Sequence, residues 1–220
     1  MDAPTAAAAI TGLTVVGKPA IDLVTDVVRR IVTPSADAIG EGLAAPLQQW
    51  AKRRHENALG TVIGAAQILI EKGIEPQAVP GRILFPILEK SSVEEDADLR
   101  QIWSRLLATA ADPHCADTVL APFPHILSEL SPIEVHILNF VFTHGTKSSG
   151  YHAFDLAQVS GQFDINHSTT LIYRDNMERL NLIALPFGTL PDETEVFGVP
   201  FKGELYLTSL GYAFIRACTR

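Results

Sequence analysis

From Ala20 onward the apolar positions follow a helical period. Ile21, Val24, Val28 and Ile31 share one face, Leu23 and Val27 widen it, and Asp22, Thr25, Asp26 and Arg29 take the other. Asp26 and Arg30 stand at the i, i+4 spacing of a helical ion pair. Thr33-Pro34 ends this helix and opens another, with Thr33 as N-cap and proline at the first helical position. Helical patterning then runs from Pro34 to Lys72, with Pro46 kinking or dividing it. It stops at Lys72-Gly73, a basic last turn followed by a C′ glycine. The apolar stretch Asn57–Ile70 is interrupted by Asn57, Gly60, Thr61, Gly64 and Gln67, which suits a buried helix packed closely on its neighbours.

Pro76, Pro80 and Gly81 punctuate a connector, and Ile83 to Glu89 forms a short apolar helix. Ser92-Val93-Glu94-Glu95 matches a capping box, with Ser92 as N-cap and Glu95 at the third helical position. The acidic run Glu94, Glu95, Asp96, Asp98 suits the positive end of the helix that follows. That helix carries the stripe Leu99, Ile102, Trp103, Leu106 and Leu107 and ends near Asp112-Pro113.

Ser131-Pro132-Ile133-Glu134 is a second capping box with proline at the first helical position. It opens a helix from Ile133 to Phe142 that His144-Gly145 closes. Phe154 to Val159 reads as a short helix ended by Ser160-Gly161, and Asn166 or Ser168 caps a longer one through Leu171, Met177 and Leu180. Leu182–Phe187 and Glu204–Leu207 read as the two strands of a hairpin, and Thr208 caps a last helix with Leu210, Phe214 and Ile215. Helix, short helix, longer helix and β-hairpin, in that order, make a winged helix-turn-helix. The predicted fold is therefore mainly α: a tail over residues 1–19, a helical domain over 20–130, and a winged-helix domain with a small β-hairpin over 131–220.

Composition narrows the chemistry. Hydrophobic residues make up 47% and charged residues 19%, an ordinary globular balance that excludes a disordered chain. Two cysteines, Cys115 and Cys218, are too few for a disulfide scaffold and fit a reducing cytoplasm. The longest uncharged stretches, Ala3–Gly17 and Asn57–Ile70, fall short of the roughly 18 residues a membrane span requires. The N-terminus lacks the basic region of a secretory signal. The expectation is a cytoplasmic protein without a transmembrane span.

The net charge of −8 disfavours nucleic acid as a partner. Residues 131–220 hold 6 basic and 9 acidic side chains, and the longer helix sets Arg174 and Arg179 against Asp175 and Glu178. A winged helix that reads DNA must first neutralise phosphates, so a packing or dimerisation element is the favoured reading. His114, His125, His136, His144 and His152 show no helical ligand spacing, and Cys115 has no signature of a nucleophile. Gly40-Glu41-Gly42 lacks the third glycine and the preceding strand of a phosphate-cradling loop. Trp103 belongs to the apolar stripe. The residues thus point to no catalytic group, no metal and no cofactor.

Three segments together resemble the abortive-infection alpha (Abi-alpha) family of bacterial proteins: Pro34–Gly40 running on to Trp50, Ser91–Leu99 continuing through Ile102-Trp103-Ser104-Arg105-Leu106-Leu107-Ala108, and Phe123–Glu134. Where the family usually shows Ala-Asn, this chain has Ser104-Arg105, a surface-type departure from the pattern. The resemblance implies a role in defence against phage, in which the infected cell stops growing or dies before progeny are released. It carries over no catalytic residue.

The expectation is a non-enzymatic defence protein that acts through a protein partner or through homo-oligomers. A winged-helix DNA-binding regulator is the alternative. The candidate interaction surface is the apolar face Ile21, Val24, Val28 and Ile31 together with Trp50, Arg53 and Arg54, where an aromatic side chain precedes a basic triplet. The same face could touch a membrane, although Asp22 and Asp26 beside Arg29 and Arg30 weaken attraction to anionic lipid.

Overall fold

Apolar stripes at helical spacing dominate the sequence, and the computed structural model is mainly helical. It describes residues 26–28, 30–31, 55–148, 151–184 and 204–220. The tail expected over 1–19, the Thr33-Pro34 break and Pro46 lie outside them. The chain divides into two units, one reaching Ser128 and including Arg220, the other spanning Glu129–Thr219.

In the first unit, residues 26–28 and 30–31 are helical. They are followed by α1 (His55–Glu71), α2 (Gly81–Ser91), α3 (Ala97–Ala111), a 3-10 turn (Ala116–Thr118) and α4 (Phe123–Ser128). Helix α1 ends as its sequence dictates: Gly73 sits at φ +65°, and Ile74 N–H reaches back to the Leu69 carbonyl at 2.9 Å. Its buried positions Ala58, Val62, Ala65, Ala66 and Leu69 lie on one face, which packs along α3. Helix α3 buries Leu99, Ile102, Trp103, Leu106 and Leu107, the predicted stripe. Ile31, Leu84, Ile87, Phe123 and Leu127 complete the core of this unit.

The α1–α3 contact is close. A Cβ added to Gly64 would come within 2.5 Å of Ser104 Oγ and 2.9 Å of its Cβ. Ser104 is itself buried, its hydroxyl donating to the Arg100 carbonyl at 3.1 Å. The Ser104 departure from the family pattern is therefore a packing feature of the α1–α3 contact, not a surface one.

The start of α3 also differs from expectation. Ser92 is the C-cap of α2, and its Oγ donates to the Glu89 carbonyl at 2.6 Å. The N-cap of α3 is Asp96, whose carboxylate accepts from Asp98 N–H and Leu99 N–H, both at 2.9 Å. The acidic residues do gather at the helix start, but the cap lies four residues beyond the predicted one. Ser92 is already committed to the preceding helix, and residues 94–96 leave the helical path between the two.

The second unit opens with α5 (Pro132–His144), capped by Ser131 and closed by Gly145 as predicted. Strands β1 (Thr146–Ser148) and β2 (Tyr151–Asp155) follow, then α6 (Leu156–Phe163), α7 (His167–Arg179), β3 (Ile183–Ala184), β4 (Glu204–Leu207) and α8 (Ser209–Thr219). The sheet is antiparallel in the order β1-β2-β4-β3, with Ala153 opposite both Thr146 and Tyr206, and Ile183 opposite Leu207.

The predicted pairing of the 182–187 region with 204–207 is present at Ile183–Ala184. The predicted helix start at Phe154 is not: Phe154 is a strand residue paired with Leu205, and Asp155 caps α6 by accepting Ala157 N–H at 2.9 Å. Nor does Ser160-Gly161 end α6, which continues to Phe163 and turns at Asp164 in the left-handed region.

Asn166 is the N-cap of α7, accepting Thr169 N–H at 2.9 Å, and Thr208 caps α8 through Gly211 N–H at 2.9 Å. The core of this unit is Ile137, Leu138, Val141, Met177, Leu182, Phe214 and Ile215 with the strand residues Phe154, Ile183, Leu205 and Leu207. Gly211 is required where α8 passes β3, because a Cβ there would collide with the Leu182 carbonyl oxygen.

Candidate functional site

The N-terminal apolar face is described only at its end. Ile31 is fully buried and Val27 nearly so, while Val28 is half-buried. An apolar helix face covers itself on its own protein's core when one is available, so Ile31 is a core residue with no area left to offer a partner. Ile21, Val24, Trp50, Arg53 and Arg54 lie outside the described residues. Beside this segment Arg30 bonds Glu75 and pairs with Asp26 at 3.0 Å, the predicted i, i+4 pair. The hydrogen bond to Glu75 and the charge of Asp26 hold the Arg30 guanidinium above its ordinary value.

The acidic-plus-tryptophan segment forms a knot at the start of α3. Asn57 Nδ2 on α1 donates to the Ser92 and Glu94 carbonyls at 3.3 and 3.0 Å, and Arg100 Nη1 donates to the Glu95 carbonyl at 2.8 Å. The Glu94 carboxylate accepts Asp96 N–H at 3.1 Å and makes a longer contact with Trp103 Nε1 at 3.5 Å. Trp103 is 1% exposed. These side chains tie a non-helical turn to two helices, which is a structural task; a tryptophan this buried offers no platform to a ligand.

The Leu-Ser-Pro-x-Glu segment does the same for the second unit. Glu134, 3% exposed, accepts Ser131 N–H at 2.7 Å and Ser131 Oγ at 2.6 Å on one oxygen. Its other oxygen accepts Asn176 Nδ2 at 2.8 Å. Asn176 Nδ2 also donates to the Glu129 carbonyl at 3.1 Å, and Arg179 Nη2 bridges the Asn176 side chain at 2.8 Å and the Glu129 carboxylate at 2.5 Å. A buried carboxylate persists only with its acceptors satisfied, and this one fixes α7 against the start of α5. Nothing local in the sequence marks its distant partner, Asn176, 42 positions away. The capping-box spacing gives the bond from Ser131 N–H, whereas the Ser131 hydroxyl donates to the same carboxylate.

The two cations of α7 are both engaged. Arg174 donates through Nε and Nη2 to Asp175 Oδ1 at 2.8 and 2.5 Å, and Arg179 holds Glu129. The exposed positions of the helix are His167, Ser168, Asp175, Glu178, Arg179 and an apolar side chain, Ile172, that is 65% exposed. The sequence offered no means of separating Ile172 from its buried neighbours.

Among the described residues, no group of three or more His, Cys, Asp and Glu side chains is arranged to hold a metal ion. His144 stacks on Phe140 with ring centroids 4.9 Å apart. Cys115 and Cys218 are buried thiols, not joined in a disulfide, and Arg220 Nη1 bonds Cys115 Sγ. No described helix is long and apolar enough to cross a membrane.

Comparison with known proteins places this arrangement in a family. No curated protein and no solved structure matches the chain. The sequence model described as abortive infection alpha matches residues 54–218, which take in both the knot around Trp103 and the bonded Glu134. With well over half of its length so matched, the chain belongs to the abortive infection alpha family, a membership that points to a role in abortive-infection defence.

Proposed function

We propose that this protein is a cytoplasmic, non-enzymatic effector of abortive infection that works through contacts with protein, and that its second unit is a winged-helix module used for such contacts. The order α5, α6, α7, then the β3–β4 pair, supports the winged-helix reading, with α7 at the position that would enter a major groove.

The observation that carries the contact reading is the state of α7. Both of its arginines are ion-paired within the unit, Arg179 while exposed, and the exposed side chains beside it include Asp175, Glu178 and Ile172. Binding duplex DNA draws its affinity from basic side chains that replace phosphate counterions, and an exposed carboxylate opposes that exchange. An exposed isoleucine gains instead by burial against another protein surface.

Two measurements test this reading. Expressed in a bacterial host, the protein should reduce phage plating by killing or arresting infected cells, and alanine replacement of individual buried residues should act only in proportion to lost stability. In a gel retardation assay at low salt the purified protein should leave duplex DNA unshifted. A shift that weakens steeply with salt would establish the DNA-binding regulator in its place.

A further inference from the structure

We draw no further inference here: the strongest candidate, the cavity of about 200 Å³ at the C-terminal ends of α1 and α3 with Lys72, Thr109 and Asp112 in its lining, carries nothing, because these three side chains are already bonded to backbone groups of the protein itself and nothing in the structure shows what would occupy it.

Discussion

Two glycines on α1, one turn apart, should respond oppositely to the same substitution. Gly60 is exposed, and a Cβ added there meets nothing within 4 Å; Gly64 faces Ser104 of α3 at distances no real Cβ tolerates. Replacing glycine by alanine inside a helix gains about 0.5–1 kcal/mol by restricting the unfolded chain. Gly60→Ala should show that gain in full and raise the melting temperature by roughly 1–4 °C.

Gly64→Ala has the same gain offset by an overpacking cost of about 1–3 kcal/mol, for a net loss of up to about 2 kcal/mol. Rotating the Ser104 hydroxyl relieves only part of the collision, since Ser104 Cβ also lies 2.9 Å from the added atom. Only Ser104→Gly removes both contacts, so the Gly64→Ala, Ser104→Gly cycle should show a coupling of about 1 kcal/mol or more in favour of the double variant. Urea titrations followed by circular dichroism and tryptophan fluorescence would measure all four chains. Equal stabilisation by Gly60→Ala and Gly64→Ala, or a coupling below about 0.5 kcal/mol, would refute the close approach of α1 and α3.

Asp96→Ala should cost about 1 kcal/mol of stability through loss of the α3 cap, whereas Ser92→Ala should leave the helical content of α3 intact because Ser92 belongs to α2; hydrogen exchange at Asp98 and Leu99 amides separates the two. Trp103→Ala should cost about 3–5 kcal/mol by emptying a buried site, and phage protection should fall only as far as the folded fraction does. A variant of unchanged melting temperature and no protection would make Trp103 a contact residue. Glu134→Gln replaces one acceptor oxygen by a donor that must face Ser131 or Asn176, so despite equal size it should destabilise by about 1–3 kcal/mol in thermal unfolding. Gly211→Ala should be worse, about 3 kcal/mol or more, because the atom it meets is the Leu182 backbone carbonyl, which cannot turn aside.

Much of this architecture is written locally. The stripe on α3, the proline and capping box that start α5, the glycine that ends α1 and the threonine that caps α8 each depend on residues within a turn or two, and such signals are readable from spacing alone. What the sequence leaves open is which of two competent local signals is used.

Ser92 and Asp96 both suit an N-cap. The choice falls to Asp96 because Ser92 closes α2 and Asn57, 35 residues away, holds the intervening backbone. Phe154 suits a helix start, yet pairing with Leu205 makes it a strand, a ladder partner that no local pattern announces. Ser104 looks like a surface residue until Gly64 is brought against it, and Glu134 looks like a cap alone until Asn176 arrives. Periodicity likewise marks Ile31 and Ile172 as apolar without saying which will be covered. Local rules offer the positions where elements can begin and end; which of them is used, what is buried and how buried polar groups are satisfied depend on partners distant in sequence, and those only the tertiary structure decides.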